Sequence, residues 1–380
     1  MGPSLLVMTN IPSHHQIPLG GELFRLLGDN FRMSFSSRPD EDRLALGWRD
    51  SSKALPWAIR VWESDEQEKY LRHCIDRFDC VVIGDTRTYL VRERICSGKL
   101  TFRFTERIFK RGFIPGFVWW LPRLVKDYWP LNRPNYHLLA AGAYCPLDMQ
   151  RVGMFKDRKW TSGYYPAVRT EPPPLRENSD VKMLWAGRML DWKRADLAIE
   201  LVRRLKGRAR RFSLDVIGDG PMKAKLAGQC QRNGLEDVVS FFPPTSPEGV
   251  RDAMLKADIF LMTSNYREGW GAVINEAMDS GCCVVSSKGP GAAPWLIEHG
   301  KNGFLFESGN VEQLCSIVSA LLEQPEKCGE IGAQAWKTIA AYWSPKIAAE
   351  RLVELTYGLL GRRPIPDFHR GPCSIAKVLT

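Results

Sequence analysis

The chain lacks a hydrophobic run long enough to cross a membrane, and it lacks paired cysteine motifs. No stretch of about 18 consecutive apolar residues occurs in its 380 residues, so we expect no spanning helix. Its ten cysteines are scattered, without a Cys-x-x-Cys or a Cys/His ligand spacing, which is typical of free core thiols in a reducing cytoplasm. The first residues lack a basic segment and a small-residue cleavage site. They therefore predict a first strand rather than a signal peptide.

The length and composition indicate an ordinary globular protein with two domains. The chain is 44% hydrophobic and 25% charged, and 380 residues exceed what one core usually supports. Residues 164–180 contain Pro166, the run Pro172-Pro173-Pro174 and a polar stretch after it, which is the composition of a stiff connector. We predict a first domain over 1–170, a second over 181–343 and a terminal helical segment over 344–380.

Apolar segments alternate with amphipathic ones in the second half. Predicted strands lie at residues 181–186, 212–217, 238–242, 258–262 and 283–286. Predicted helices between them lie at 193–206, 221–233, 247–257 and 273–280. Strict alternation of this kind predicts a parallel sheet with helices on both faces. The first half also reads as α/β, less regularly, with predicted strands at 5–9, 33–36, 80–83, 100–104 and 138–141.

Two carboxylates, Glu268 and Glu276, are separated by seven residues that begin with Gly269-Trp270-Gly271. Glu268 follows a predicted strand, and Glu276 lies about one turn inside the next predicted helix. In a parallel α/β sheet this edge is where ligands bind. Glycines let backbone N–H groups approach a ligand, and a helix N-terminus favours an anion such as a diphosphate. Carboxylates on either side can accept hydrogen bonds from hydroxyl groups. Diphosphate plus hydroxyls is the chemistry of a nucleotide sugar.

The flanking motifs make this pattern specific, and they resemble the retaining GT-B glycosyltransferases of family 4. The upstream match is Gly187-Arg188, four residues and then Lys193. The downstream matches are the segments 279–286, 290–294 and 300–306. The resemblance covers residues 181–360 and is much weaker before them. It implies a GT-B fold, in which two Rossmann-like domains face each other across a cleft and the C-terminal helix returns to the first domain.

The resemblance also implies roles for the motif residues. Glu268 would reach the hydroxyls of the transferred sugar, and Glu276 would bind the ribose hydroxyls. The backbone between them would face the diphosphate and sugar, through Gly269, Trp270, Gly271, Ala272 and Val273. It implies retention of configuration by front-side attack, with the leaving phosphate oxygen taking the acceptor proton.

Arg188 and Lys193 are spaced so that both can reach one anion from a single strand–helix connection. Arginine binds phosphate through a planar fork and lysine supplies a point charge. Together they can replace a divalent metal, so we predict no cofactor, no metal site and metal-independent transfer. The alternative is a surface pair on a loop.

Other candidates for substrate contact are less specific. Gly218 opens the turn Gly218-Asp219-Gly220-Pro221, which is either a nucleotide loop or simply a good turn. Residues 10–21 predict a loop after the first strand that contains His14, His15, Gly20 and Gly21. The resemblance implies that such a glycine-rich loop lies close to the donor phosphate and the acceptor, and that His14 or His15 contacts their hydroxyls. In the alternative, Pro18 begins a helix and the histidines have no role. Glu106 is either an acceptor-side carboxylate or a charge that compensates a helix dipole.

Residues 87–126 carry ten lysines and arginines against two acids, next to several aromatic residues that include Trp119 and Trp120. This composition indicates a surface that contacts anionic lipid or a lipid-linked acceptor. The alternative is a solvated face whose aromatics pack into the core. No nucleic-acid module accompanies the stretch, so we expect no nucleic-acid partner.

These observations predict a glycosyltransferase that moves a sugar from a nucleotide diphosphate donor to a glycan or lipid-linked acceptor. UDP-sugars are favoured as donors by the resemblance, while GDP-mannose and dTDP-sugars stay open. We expect a cytoplasmic protein, with peripheral contact to the inner membrane as an open question. The rival interpretations are a nucleotide-sugar epimerase on the same fold and a non-catalytic membrane-associated binding protein.

Overall fold

The structure is a computed structural model, and it describes residues 2–45, 47–48, 50–174, 176, 180–207 and 211–379. The chain divides into two compact units. The first comprises Met1–Leu44, Trp48–Ala167 and Tyr342–Thr380, and the second comprises Ala45–Gly47 and Val168–Ala341. Leu175 and residues 177–179, which belong to the predicted connector, lie outside the described residues.

The first unit is built on a seven-stranded sheet. Its strands are β1 (Leu5–Thr9), β2 (Phe31–Phe35), β3 (Ala58–Arg60), β4 (Cys80–Ile83), β5 (Thr101–Glu106), β6 (Tyr136–Ala141) and β7 (Lys159–Ser162). They are ordered β3-β2-β1-β4-β5-β6-β7, and all neighbouring pairs are parallel. Every residue of β1 and β4 is buried, as expected for parallel strands covered on both faces.

The second unit is built on a six-stranded parallel sheet. Its strands are β8 (Val181–Ala186), β9 (Phe212–Ile217), β10 (Val239–Phe242), β11 (Ile259–Met262), β12 (Cys283–Ser287) and β13 (Phe304–Phe306). They are ordered β10-β9-β8-β11-β12-β13, which is the doubly wound order of a Rossmann-like sheet. The strand order therefore reverses between β8 and β11.

Helices connect the strands in both units. In the first half they are α1 (Ile17–Leu27), α2 (Glu41–Ala45), α3 (Asp65–Arg77), α4 (Arg92–Cys96), α5 (Phe113–Arg123) and α6 (Cys145–Arg151). They continue with α7 (Ala195–Leu205), α8 (Lys223–Arg232), α9 (Pro247–Lys256), α10 (Val273–Asp279), α11 (Ala293–Leu296), α12 (Val311–Glu323), α13 (Glu326–Thr338) and α14 (Pro345–Leu359). None of those lying in the described residues is long and apolar enough to span a lipid bilayer.

The C-terminal helix α14 belongs to the core of the first unit. Its Ala349, Leu352 and Leu355 are buried in one cluster with Leu5 and Phe31. The predicted fold class is confirmed, because each unit is a parallel α/β sheet of Rossmann-like order and the last helix packs in the first unit. All ten cysteines are free, and eight of them are buried.

Candidate active site

The reversal of strand order in the second unit brings two motif loops together. One loop follows β8 and carries Arg188 and Lys193, and the other follows β11 and carries Glu268. Because β8 and β11 are adjacent parallel strands, their carboxyl ends meet at the same edge. Open α/β sheets bind ligands in the crevice at such a switch point. Residues that are eighty positions apart in sequence thus share one candidate site.

Lys193 and Glu268 form an ion pair, with 2.6 Å between the lysine Nζ and a carboxylate oxygen. Their side chains are only 20% and 13% exposed, so water screens the pair less than it would at an open surface. The sequence patterns did not predict this contact, since they assigned Lys193 to a phosphate and Glu268 to a sugar. Lys193 must therefore be shared between the carboxylate and any anion that binds beside it.

Backbone and side-chain hydrogen bonds fix the two loops against each other. The N–H of Asn265 donates to the carbonyl of Trp192 at 2.8 Å. The hydroxyl of Thr263 donates to the carbonyl of Lys193 at 2.8 Å and accepts from the indole of Trp185 at 3.0 Å. The position of Lys193 is thus set by the ends of both strands, and only its flexible side chain has freedom to move.

Arg188 is exposed on the loop after β8. In the described part of the chain, no carboxylate is paired with its guanidinium, unlike the neighbouring Arg267, which pairs with Asp191 at 2.7 Å and lies over the ring of Trp192. Arg267 and Trp192 were not among the predicted site residues, although both flank the predicted motifs directly. An exposed cation without a carboxylate partner, on the same loop as a paired lysine, favours an incoming anion.

The glycine turn after Glu268 is held by the loop that precedes α11. The carbonyls of Gly269 and Trp270 accept hydrogen bonds from the N–H groups of Gly291 and Ala292 at 2.7 and 2.9 Å. Gly271 has a φ of 87°, a left-handed conformation that favours glycine. The motif segment 290–294 thus supports the backbone of the glutamate motif, which explains why both segments occur in the resemblance.

Between the two glutamates, the side chain of Trp270 is part of the core. It is 1% exposed and donates its indole N–H to Asn275 at 2.8 Å. Ala272 and Val273 follow it, at the boundary with helix α10. Glu276 lies in the first turn of α10 and is 7% exposed. Glu268 is therefore on the loop and Glu276 is in the helix, as predicted, but their roles with a ligand stay predictions.

Gly218 lies where the loops after β8 and β9 touch. Its φ is 140°, and a Cβ added there would lie 2.1 Å from the carbonyl oxygen of Gly187. No side chain fits in that space, so the glycine is required by the backbone itself. In the same turn, Asp219 accepts from the N–H of Gly220 at 2.7 Å. A good turn and a nucleotide loop are both compatible with this geometry.

In the first unit, His14 lies in a cluster of aromatic rings. Its ring centroid is 3.8 Å from that of His15 and 4.5 Å from that of Trp48, while His15 lies 6.2 Å from Tyr164. Trp48 and Tyr164 were missed by the sequence patterns, because neither follows a predicted strand. A cavity of about 40 Å³ lies nearby, lined in part by Thr9, Gln16 and Gly84, and is too small for a sugar ring.

The predicted placement of Gly20 and Gly21 on a loop is wrong. Both lie inside α1, so the alternative in which Pro18 begins a helix is the one observed. The N–H of Gly20 donates to the carbonyl of Gln16 at 3.1 Å, and a Cβ on Gly20 would lie 2.6 Å from the ring of Trp57. Gly20 therefore serves helix packing, and the loop after β1 is shorter than predicted.

Glu106 is the last residue of β5, and two neighbours hold its carboxylate. Lys110 donates to it at 2.5 Å, and the hydroxyl of Tyr164 hydrogen-bonds to it. Burial, together with this carboxylate, raises the pKa of Tyr164 well above its ordinary value. Helix α5 begins only at Phe113, beyond the one-turn range of a helix dipole. Dipole compensation at α5 is thus not the role of Glu106, and its acceptor-side role stays a prediction.

The composition of the basic stretch 87–126 indicated a surface, but part of the stretch is buried. Arg94 is buried and donates to the carbonyls of Ile75, Asp79 and Leu100 at 2.7 to 2.9 Å. Arg103 is buried as well, with Tyr128 under its guanidinium. These two cations serve the core. By contrast, no residue of α5 is fully buried. The alternative in which the aromatics pack into the core therefore holds for Tyr128, which is 2% exposed, and not for Trp119, which is 70% exposed.

The sequence contains one Asp-x-Asp tripeptide, Asp40-Glu41-Asp42, a pattern that many other glycosyltransferases use to hold a metal. Here Asp40 precedes helix α2, accepts from the N–H of Arg43 at 2.9 Å and pairs with its guanidinium at 3.3 Å. This is ordinary N-capping. The prediction of metal-independent transfer therefore rests on Arg188 and Lys193.

Two doubly wound parallel units in one chain define the GT-B class. A crystal structure of HepE from Anabaena in complex with UDP and glucose has this fold. It matches with a TM-score of 0.66 and covers 93% of this chain and 98% of that chain, at 16% identity. At that identity the likeness shows the fold alone.

A family model and curated sequences match part of the chain. The sequence model described as "Glycosyl transferases group 1" matches residues 169–338. The amylovoran biosynthesis glycosyltransferase AmsK of Erwinia amylovora is 29% identical over 60% of this chain and 54% of its own length. A GDP-mannose-dependent mannosyltransferase of Mycobacterium tuberculosis that acts on phosphatidylinositol monomannoside is 24% identical over 45% of this chain and 46% of its own.

Residues 169–338 therefore resemble the group 1 glycosyltransferases, and the chain has the GT-B fold. It spans about half the length of the curated relatives it matches. The matches do not favour the epimerase or the non-catalytic binding protein that the sequence left open.

Proposed function

We propose that the protein is a retaining, metal-independent glycosyltransferase that moves a sugar from a nucleotide diphosphate sugar to a hydroxyl of a glycan or lipid-linked acceptor. The observation that carries this proposal is the Lys193–Glu268 ion pair at the switch point of the second unit, with the exposed Arg188 on the same loop as Lys193. Cations and a carboxylate at one edge match a ligand that carries both a diphosphate and hydroxyl groups. In the first unit, the side chains of His14, Tyr164 and Glu106 are candidates for binding the acceptor.

Each step of transfer has a candidate group. Arg188 would bind the diphosphate through its planar fork, and Lys193 would neutralise the charge that grows on the leaving phosphate. Glu268, released from Lys193, would accept hydrogen bonds from the transferred sugar, and Glu276 from the ribose. The leaving phosphate oxygen would take the proton of the acceptor hydroxyl, so that attack occurs on the same face and configuration is retained.

UDP is the donor nucleotide that we favour, because HepE, which shares the fold, binds UDP. GDP is the main competitor, since the mycobacterial relative uses GDP-mannose. A thermal-shift panel of UDP, GDP and dTDP distinguishes them, because a ligand that binds only the native state stabilises it by mass action. A ligand at about 100 times its Kd adds about 2.7 kcal/mol to the free energy of unfolding. We expect UDP to raise the Tm most.

The panel also tests the proposal as a whole. If none of the three nucleotides raised the Tm, a nucleotide-sugar site in the second unit would be excluded. For the nucleotide that binds, NMR of the anomeric proton in the transferred sugar reads the stereochemistry. A product with inverted configuration would contradict front-side attack while leaving the transferase activity in place.

The exposed face of α5 supports peripheral binding to an anionic membrane. Ile114, Val118 and Trp119 are 77%, 68% and 70% exposed, which is unusual for large apolar side chains along one helix and typical of an interfacial helix. Arg123 and Lys126 follow on the same segment and are also exposed. Apolar anchors beside free cations fit the boundary between acyl chains and anionic headgroups.

Replacing Arg111, Arg123 and Lys126 together with glutamine should weaken binding to phosphatidylglycerol vesicles by about 10²-fold at low salt. Each cation near an anionic surface contributes on the order of 1 kcal/mol. Arg107 is excluded from this variant because it pairs with the buried Asp148. Vesicle co-sedimentation at low and high salt measures the effect.

The matched control replaces Lys69, Arg72 and Arg77 on α3, which are exposed cations of the same unit, with glutamine. It changes the net charge equally and should weaken binding far less. Equal weakening by both triple variants would mean that net charge, and not the α5 surface, drives binding. An absence of vesicle binding by the unaltered protein would leave a soluble acceptor as the alternative.

A further inference from the structure

A groove of about 450 Å³ lies at the start of α5, within the first unit. Its lining combines three cations and two indoles with small residues, and comprises Arg107, Ile108, Lys110, Arg111, Pro115, Gly116, Trp119 and Trp120. A Cβ on Gly116 would lie 2.7 Å from the ring of Phe109. The close approach of α5 to Phe109 that forms this part of the groove therefore depends on glycine.

The three cations of the groove differ in what they contact. Arg107 is fixed by Asp148, at 3.6 Å from the carboxylate, and by the carbonyl of Phe109. Lys110 pairs with Glu106. Arg111 is exposed and has no carboxylate partner among the described residues. One cation of the lining is therefore uncompensated, and its planar fork is suited to a phosphate.

Further positive character lies next to the two indoles. The guanidinium of Arg123 lies 5.9 Å from the ring of Trp119 and 5.1 Å from that of Trp120, and no carboxylate within the described ranges pairs with it. The N-terminus of α5, an eleven-residue helix without a side-chain cap, opens beside Arg111. Helix N-termini favour anions. Charge, donors and helix dipole thus all favour an anionic group.

The remaining surface of the groove is apolar and continues outwards. Trp119 lines the groove and is 70% exposed, so its ring reaches from the cations to the apolar face of α5. A ligand that satisfies both parts carries a phosphate at one end and a hydrocarbon chain at the other. A free sugar or a simple phosphate would use only part of this surface.

We propose that this groove is a binding site for the phosphate or diphosphate of a lipid-linked molecule, with Arg111 on the phosphate and Trp119 on the first part of the lipid chain. The site rests on the proposed function, in which that molecule is the acceptor. Lys110 connects the groove with the candidate acceptor-side carboxylate, Glu106. It lines the groove, and its Nζ lies 2.5 Å from a carboxylate oxygen of Glu106. The acceptor's phosphate would thus bind one side chain away from the carboxylate that faces its hydroxyl.

Farnesyl diphosphate is a water-soluble probe for this site, and isothermal titration calorimetry with the full chain measures its affinity. Arg111→Gln should weaken binding about tenfold or more, the loss expected for one charge-assisted hydrogen bond. Lys126→Gln, which removes an exposed cation of the same segment outside the groove, should change the affinity less than about twofold. Trp119→Ala should weaken farnesyl diphosphate binding and leave inorganic pyrophosphate binding unchanged.

A diphosphate could also bind the second unit, so Arg188→Ala is measured in parallel. It should leave the affinity for farnesyl diphosphate unchanged. If Arg188→Ala and not Arg111→Gln weakened binding, the probe would occupy the donor site and the groove assignment would be overturned. Equal effects of Arg111→Gln and Lys126→Gln would overturn it as well, in favour of diffuse attraction to headgroups.

The outcomes for the groove and for the proposed function are separable. Arg111→Gln and Lys126→Gln should weaken binding to phosphatidylglycerol vesicles without any isoprenyl phosphate by equal amounts, because attraction to a bilayer depends on total charge. Vesicle binding with no affinity for farnesyl diphosphate would remove the groove site and keep the membrane proposal. Binding of farnesyl diphosphate without any nucleotide response in the thermal-shift panel would keep the groove and remove the transferase function.

Discussion

Replacing Arg188 or Lys193 with alanine is expected to lower the rate of sugar transfer by about 10²-fold or more. In the proposed mechanism each variant removes a cation that neutralises the charge growing on the leaving diphosphate, and loss of one such donor costs about 10² to 10³ in rate. Steady-state assays with the nucleotide sugar that the thermal-shift panel selects measure the effect. The rate should also survive EDTA, because we propose that the two cations neutralise the diphosphate in place of a metal.

Lys182→Ala is the matched control for this prediction. Lys182 is an exposed lysine near the amino end of β8, the same strand whose carboxyl end leads to Arg188, and its loss should leave transfer nearly unchanged. Complete loss of activity on chelation would show that a metal neutralises the diphosphate, and metal-independent transfer would then be wrong.

The two cations should differ in their effect on stability. Lys193→Ala leaves Glu268, whose side chain is 13% exposed, without its ion-pair partner. Arg188 has no carboxylate partner among the residues that the structure describes. Removing one member of a poorly solvated pair costs more than the pair contributes. We therefore expect Lys193→Ala to lower the Tm by more than Arg188→Ala. A double-mutant cycle between Lys193 and Glu268 separates their coupling, about 0.5 to 3 kcal/mol for residues in contact, from their separate effects on ligand binding.

The fold could be predicted from the sequence because interior parallel strands are continuous apolar runs. The predicted interior strands agree with the structure to within two residues at each end. The strands that were missed are β3, β7 and β13, of three or four residues each, and all three lie at sheet edges. Runs of three or four residues are too short for an apolar pattern to mark them in the sequence, although the edge strand β10, with four residues, was predicted.

The candidate site could be located from the sequence, but its contacts could not. Motif spacing placed Glu268 on the loop and Glu276 in the helix because both belong to one continuous segment. The contact between Lys193 and Glu268 depends on which strands are neighbours, and β8 and β11 become adjacent only through the crossover of the sheet. The burial of Arg94 and Arg103 was also missed, because a count of charges does not distinguish a core cation from a surface one.

Gly20 illustrates the opposite error, in which a pattern was given a function that packing explains. Two adjacent glycines after a first strand suggested a phosphate loop. In the structure the first of them lies 2.6 Å, measured from an added Cβ, from the ring of Trp57. Glycine is compatible with either environment, and only the position of Trp57, thirty-seven residues further along the chain, distinguishes them.

Alanine variants of the two glutamates are expected to differ, one mainly in the affinity for the nucleotide and the other mainly in kcat. Glu276→Ala should weaken the affinity for the nucleoside diphosphate about tenfold or more, because ribose contacts persist from the bound substrate to the transition state and one charge-assisted hydrogen bond is worth about 1.5 to 3 kcal/mol. Glu268→Ala should lower kcat by about 10²-fold and leave the affinity for free nucleoside diphosphate nearly intact. Free nucleoside diphosphate lacks the transferred sugar, which is the part of the donor that Glu268 would contact.

The ion pair gives this division of roles a second, independent signature. Removing the Glu268 carboxylate releases Lys193, so the lysine is no longer shared between that carboxylate and the incoming diphosphate. Glu268→Ala should therefore bind free nucleoside diphosphate as well as the unaltered protein or slightly better, while Glu268→Gln, which keeps the size and loses the charge, should behave likewise. Calorimetry with the nucleoside diphosphate and steady-state kinetics with its sugar measure the two effects separately. Equal losses of nucleoside diphosphate affinity in the Glu268 and Glu276 variants would contradict the assignment of one carboxylate to the sugar and the other to the ribose.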